Sequence, residues 1–241
     1  MPEKSATIEF YDTQAKRKLR DFVYYNKRLE QGWQTIAEWA GSASRILEVG
    51  CGVGSICWRM GRRFPKAEVV GIDYSPGNLD IANRVFERRN VKFVLTSGTE
   101  YFSLGRFDLI AVMDVYEHVE RTERAVFHEN LRNSLRDEGR VILTVPTPRH
   151  LAWLREHDAK EIQPIDEDIT PEVLSALAND LGRDLLMYRE VNIWRRGDYA
   201  HAVIGLSQFP ESVPHASKFP GLAFMDRRMR RKLVRNAGFD I

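Results

Sequence analysis

Apolar and polar positions alternate along this 241-residue chain between two kinds of run. Short apolar stretches at Arg45–Val49, 67–72, Val91–Leu95, Phe107–Met113 and 141–145 read as buried strands, because a strand covered on both faces has no polar side. Between them the spacing shifts to three and four. Ser55–Arg63 follows the first strand as a helix. Leu79, Ala82, Val85 and Phe86 share one face of a second, which Ser75 caps and Pro76 opens, and 125–135 gives a third. Ahead of the first strand, 13–40 reads as two helices, with Trp33, Ile36, Ala37 and Ala40 on one stripe and Gly41 as the stop.

This order predicts an α/β fold with a doubly wound, mostly parallel sheet. Thr170 and Pro171 open another helix, with Leu174, Leu177 and Leu181 inward and Gly182 at its end. Residues 185–194 and 199–206 flank the turn Arg195, Arg196, Gly197 and Asp198, so they form a hairpin. Seven strands result, the last antiparallel. The expected organisation is a helical cap at 1–44 over the ligand pocket, a ligand-binding domain at 45–207, and a tail at 208–241. In the tail, FPESVPHASKFPG is a linker and MDRRMRRKLVRNAGF a basic terminal helix. The long connection 148–168 reads as a lid or substrate loop.

Composition narrows the function. A net charge of +2 supplies no global field for nucleic acid or an anionic membrane. The cluster Arg227, Arg228, Arg230, Arg231, Lys232 and Arg235 is by default a solvated basic face, with a contact to an anionic substrate, another subunit or RNA as its alternatives. The start MPEKSATIEF lacks a signal-type stretch, and nowhere do about 18 apolar residues run together, so the expected location is cytoplasmic. Cys51 and Cys57, the two cysteines, are expected as reduced, buried thiols.

The chemistry concentrates in ILEVGCGVG. Gly50, Gly52 and Gly54 strip side chains from the turn after the first strand, where an open α/β sheet binds its ligands. Such a turn alone is equally a positive-φ turn without function. Asp73 at the tip of the second strand favours a ribose, whose two hydroxyls a carboxylate can accept. The sixth fingerprint position is Ser55, and Glu48 sets a negative charge where a pyrophosphate would be repelled. A nucleoside without phosphates, and a cationic one, is the better match.

Four stretches carry a family resemblance: LEVGCGVG, VVGIDYSPGNLDIA, FDLIAVMDVYEHV and LRDEGRVILTVPTP. Across roughly 46–206 the chain resembles the class I S-adenosylmethionine-dependent methyltransferases of the small-molecule type. The resemblance implies a Rossmann-like methyltransferase fold, S-adenosyl-L-methionine as cofactor and S-adenosyl-L-homocysteine as product. It implies that Glu48, Gly50, Cys51, Gly52 and Gly54 hold the aminoacyl and ribose parts, and that Asp73 takes the ribose hydroxyls. Tyr74, with Ser75 beside it, covers the adenine, and Met113, Asp114 and Val115 lie at the mouth of the fourth strand. Where the family carries Gly-Asp-Ala after the third strand, this chain has Thr96, Ser97 and Gly98. The adenine contact then passes to Ser97, Gly98 and Thr99, with the Ser97 hydroxyl or Glu100 as acceptor of its amino group.

His118 in the E-H-V end of the third stretch is the candidate catalytic base, weighed against a residue that only lines the pocket. Tyr24, His150, Trp153 and His201 are candidate substrate contacts. Tyr11, Tyr25 and Trp33 suit either the closing of the pocket or helix packing. His128, His157 and His215 read as solvated. Glu117 and Asp114 lack the spacing partners of a metal site, and none is expected. The expected reaction is methylation of an oxygen on a small metabolite such as a sugar or natural product. Nitrogen or carbon acceptors, a nicotinamide-dependent oxidoreductase and a catalytically silent binding subunit are the alternatives, and a homodimer stays open.

Overall fold

The computed structural model describes residues 4–100, 103–207 and 227–239, with side chains from residue 13 in the first helix and residue 231 in the last. Two helices, α1 (Lys4–Tyr24) and α2 (Lys27–Trp39), precede β1 (Arg45–Val49), α3 (Ser55–Arg63), β2 (Glu68–Asp73), α4 (Pro76–Phe86), β3 (Val91–Leu95) and β4 (Phe107–Met113). A 3₁₀ turn at Tyr116–His118 leads to α5 (Arg124–Ser134), β5 (Leu135–Pro146), α6 (Pro148–His157) and a second 3₁₀ turn at Ala159–Glu161. Then come α7 (Pro171–Asp180), β6 (Asp184–Val191), β7 (Tyr199–Gly205) and α8 (Arg227–Asn236).

The seven strands form one sheet in the order β3-β2-β1-β4-β5-β7-β6, with β7 antiparallel to both of its neighbours and the other pairs parallel. Strand order reverses between β1 and β4. Register aligns Val49 with Ile72 and with Val112, so the segments leaving β1, β2 and β4 emerge side by side at the carboxyl ends, where an open α/β sheet places its ligand crevice.

Each sheet face is covered. Tyr116, Phe127, Leu131, Leu174 and Leu177 bury one face, and Trp33, Ile36, Ile56, Met60 and Leu79 the other. A third cluster fastens α1 and α8 to the domain. In it Phe22 meets Trp58 and Phe86 edge-on at 5.3 and 4.8 Å, and Leu19 and Val234 are fully buried. Burying each such ring stabilises by about 2–3 kcal/mol, which is what holds α1 over the crevice.

Three expectations need correction. Residues 148–168 are not one long loop, because Thr147 caps and Pro148 opens a ten-residue helix, α6. Strand β5 begins at Leu135, six residues early, since a register irregularity between Phe107 and Leu109 lets its start pair with β4. His128 is not solvated but buried, with Nε2 2.8 Å from the Tyr116 hydroxyl and Nδ1 2.7 Å from Asp180 Oδ2. The tail is seen as α8. The linker, His215 and the side chains of Tyr11, Arg227, Arg228 and Arg230 lie outside the described residues.

Candidate functional site

A cavity of about 610 Å³ opens at the carboxyl ends of β1, β2 and β4. Its floor is the glycine turn, where Gly50, Gly52 and Gly54 have φ of +68°, +54° and +87°. Of these three, Gly50 and Gly52 line the cavity. A Cβ on Gly54 would stand 2.6 Å from the Phe93 ring, so that glycine serves packing, contrary to its expected ligand contact. Ser75 is likewise not at the cavity. It is fully buried and accepts the Asn78 amide at 3.0 Å as the cap of α4.

The other expected cofactor contacts converge. Glu48, Cys51, Asp73, Tyr74, Ser97, Gly98, Thr99, Met113, Asp114 and Val115 all line the cavity. Asp73 is buried and oriented by three donors, accepting from the Gly52 amide at 2.8 Å, the Ser75 amide at 2.9 Å and Asn78 Nδ2 at 3.2 Å. Its two oxygens offer about four acceptor sites, so capacity remains for a further donor. In the segment after β3 the Ser97 hydroxyl lies 3.0 Å from that of Thr99 and accepts the Thr99 amide at 3.2 Å. Asn130 Nδ2 donates to the carbonyls of Gly98 and Glu100 at 2.9 Å each, which fixes this strip of backbone along the cavity wall.

Glu48 has the most unusual surroundings. It is buried, the Cys57 thiol donates to its Oε2 at 2.8 Å, and no cation pairs with it among the described residues. Burial pushes its pKa up to about 8, the thiol offsetting part of the effect and the Asp73 charge adding to it. Cys51 and Cys57 are free, buried thiols, and burial raises both.

Past β4 the chain turns sharply. Asp114 adopts φ +55°, a left-handed conformation uncommon outside glycine, asparagine and aspartate. Thr144 Oγ1 donates to its Oδ1 at 3.0 Å, and Arg28 Nε lies 3.1 Å from its Oδ2. Burial alone would lower the Arg28 guanidinium, but Asp114 and the Tyr199 hydroxyl, to which Arg28 Nη1 donates at 3.3 Å, more than reverse that. Beyond this ion pair, His118 reaches the cavity from the 3₁₀ turn. Its Nδ1 lies 2.7 Å from the Ile165 carbonyl oxygen and 3.1 Å from Asp166 Oδ1, and its Nε2 lies 3.8 Å from Glu117 Oε1. Burial works against the charged imidazole, yet Glu117 and Asp166 outweigh it and raise the His118 pKa. Burial raises Glu117 to about 8, and His118 opposes that rise.

None of the four expected substrate contacts lines the cavity. Tyr24 is exposed and its hydroxyl accepts from Arg231 Nη2 at 2.8 Å. His150 is buried against the rings of Trp194 and Tyr199, at 6.2 and 5.8 Å. Trp153 stacks on His157 at 4.7 Å because α6 turns both outward. His201 Nδ1 sits 2.7 Å from Thr35 Oγ1, and burial lowers its pKa to about 4. In their place the cavity is completed by residues that sequence motifs do not mark: Lys18 and Arg28 from the cap, and Gln163 and Ile165 from the segment after α6. Lys18 stands over the glycine turn, 3.3 Å from where a Gly52 Cβ would be, and burial lowers its pKa against the raising effect of Asp73.

Parts of this sequence, and its fold, are shared with known proteins. Residues 46–139 match a family model described as a methyltransferase domain. A release factor glutamine methyltransferase of Geobacter sulfurreducens is 38% identical over 73 residues, 30% of this chain and 26% of that protein. A ubiquinone biosynthesis O-methyltransferase of Bradyrhizobium diazoefficiens is 28% identical over 102 residues, 42% of this chain and 39% of that protein. The chain thus spans about a quarter to two fifths of the length of these two relatives. Among solved structures, magnesium protoporphyrin IX methyltransferase from Synechocystis PCC 6803, with bound SAH, superposes with a TM-score of 0.59 at 17% identity. The alignment covers 75% of this chain and 84% of that one. The sheet order and antiparallel last strand are those of the Rossmann-like methyltransferase fold.

Proposed function

We propose that this chain, whose residues 46–139 match a methyltransferase-domain model, is a class I S-adenosylmethionine-dependent methyltransferase that methylates an oxygen of a small metabolite such as a sugar or natural product. The observation that carries the reading is Glu48, a buried carboxylate without a cationic partner among the described residues, set in the same crevice as the Gly50–Gly52 backbone and the Asp73 tip. A cationic nucleoside meets all three needs: bare main chain for close approach, a carboxylate for the ribose, and a second carboxylate for positive charge. The lining therefore fits S-adenosyl-L-methionine, which when bound supplies an electrophilic methyl group on a sulfonium sulfur.

The rest falls to the chain's own residues. Gly50, Gly52 and Asp73 fix the adenosine end, Tyr74 and the 97–99 strip flank the base, and Glu48 faces the aminoacyl end. Ser97, whose hydroxyl already engages Thr99, reaches the adenine through the neighbouring backbone as much as through its side chain. Methyl transfer is an in-line displacement, so holding acceptor, methyl and sulfur in a row supplies most of the rate. An alcohol acceptor also has to lose its proton, and His118 is the base that receives it, worth about 10² to 10⁴ in rate. Gln163 and Ile165, which line the same cavity as His118, are the residues offered to the acceptor. A cavity of about 610 Å³ has room for a small acceptor beside a nucleoside.

Incubation with methyl-labelled cofactor and a panel of small alcohols, sugars and phenols tests the reading. Label transferred to an acceptor oxygen, located by product mass fragmentation, is the expected result. Label found on nitrogen or carbon replaces the acceptor, and bound cofactor with no acceptor in the panel counts against transfer to a small metabolite.

A further inference from the structure

The segment after the second 3₁₀ turn passes back across the cavity and is fastened to the Tyr116–His118 turn. The Glu167 amide donates to the Glu117 carbonyl at 2.8 Å, and Arg121 Nε donates to Glu167 Oε2 at 3.0 Å. Between these ties His118 Nδ1 meets two oxygens, the Ile165 carbonyl at 2.7 Å and Asp166 Oδ1 at 3.1 Å. A carbonyl oxygen can only accept, and so can an ionised carboxylate. Both contacts therefore require a proton on Nδ1, in the neutral and the charged ring alike, and the nitrogen that gains and loses its proton is Nε2. Asp166 is itself held in place: its side chain is 6% exposed, and its other oxygen accepts the Gln163 amide at 2.8 Å.

We propose that Asp166 is a positioning residue for His118: its carboxylate, with the Ile165 carbonyl, fixes the imidazole with the proton on Nδ1, so that Nε2 is the acceptor of the substrate proton. This rests on the reading of the chain as a methyltransferase with His118 as its base. In the transfer, the acceptor O–H bond breaks and its proton joins Nε2. The oxygen's electron pair forms the bond to the methyl carbon as the methyl carbon–sulfur bond breaks, its electron pair passing to the sulfur, which leaves as the neutral thioether of S-adenosyl-L-homocysteine. The imidazolium produced lies between Asp166 on the Nδ1 side and Glu117 on the Nε2 side, and both stabilise it. Asp114, neutralised by Arg28, is the next charge in from β4, and on the outer side Arg121 and Arg124 are turned toward Glu167. Asp166 lies outside residues 46–139, so the base and the group that orients it come from separate parts of the chain.

Long-range proton–nitrogen spectra of the full chain, with nitrogen-15 in its histidines, read the protonation of each ring nitrogen. The expected wild-type result is an Nδ1 that stays protonated while Nε2 titrates above the ordinary histidine value. In Asp166→Asn the tautomer persists through Ile165, the His118 titration moves down by roughly one pH unit, and kcat falls by about 10- to 100-fold. The acid limb of the pH profile shifts the same way, and cofactor affinity stays within about twofold. A wild-type ring protonated on Nε2 instead of Nδ1 overturns the proposal, and it does so even if the variant does not fold. So does a variant whose activity falls while the His118 titration stays put, which marks Asp166 as merely structural. If calorimetry finds no uptake of S-adenosyl-L-methionine, the methyltransferase reading fails, whereas the ring spectra still decide whether Asp166 orients His118.

Discussion

If Glu48 faces the cationic end of the cofactor, binding releases a proton. In the free protein burial sets the Glu48 pKa at about 8, so at pH 7 roughly nine-tenths of the molecules carry it protonated. A sulfonium and an ammonium placed beside the carboxylate favour its ionised form and bring the pKa down toward 4.5, the ordinary glutamate value. At pH 7 about 0.9 proton then leaves per cofactor bound. By linkage, affinity rises close to tenfold per pH unit between about 5 and 8 and flattens above, the range being set by the bound and free values of this one group. Titration calorimetry in two buffers of different ionisation enthalpy reads the proton count directly. Glu48→Gln removes the buffer dependence, flattens the pH profile across this range and weakens binding at pH 8. A wild-type binding heat independent of buffer, or a Glu48→Gln variant that still releases the proton, refutes the assignment of Glu48 to the cationic end.

Other consequences follow from single contacts. His118→Gln lowers kcat by about 10²- to 10⁴-fold with cofactor affinity held within about twofold, by steady-state kinetics beside calorimetry; a parallel loss of affinity makes His118 a wall residue instead. Gly54→Ala forces a left-handed residue against the Phe93 ring and costs about 2–4 kcal/mol in denaturant unfolding, whereas at Gly182, also left-handed but with nothing within 4 Å, alanine costs about 1–2 kcal/mol. Equal costs at the two glycines contradict the packing role of Gly54. Glu30→Ala strands the buried Arg59 guanidinium, which lies 2.9 Å from Glu30 Oε2, and lowers stability by about 3–5 kcal/mol. A change below 1 kcal/mol in that variant shows that water reaches the pair.

The parts of the fold legible in sequence are those governed by local chemistry. Buried strands appear as apolar runs, and Ser75-Pro76 and Thr170-Pro171 announce helix starts by cap and proline. Thr147-Pro148 is the same signal and opens α6, though it sits at the head of a stretch whose length suggests a loop. The glycine turn, Asp73 and the end of β4 were readable because they are contiguous with the strands that deliver them. The substrate side was not. His150, Trp153 and His201 have chemistry that suits a site, but helix phase and strand register turn them to Trp194, His157 and Thr35. Lys18 and Arg28 reach the crevice, and Asp166 reaches His118, only through tertiary packing of the cap and of the 163–167 segment, and no short-range spacing encodes that.

The most direct test is equilibrium dialysis of the purified chain against S-adenosyl-L-methionine, S-adenosyl-L-homocysteine and NADH. One equivalent of each adenosyl ligand bound at micromolar concentration, with NADH excluded, is the predicted result. Retention of NADH, or of neither adenosyl ligand at millimolar concentration, contradicts the assignment of the Glu48–Gly50–Asp73 crevice to a cationic nucleoside.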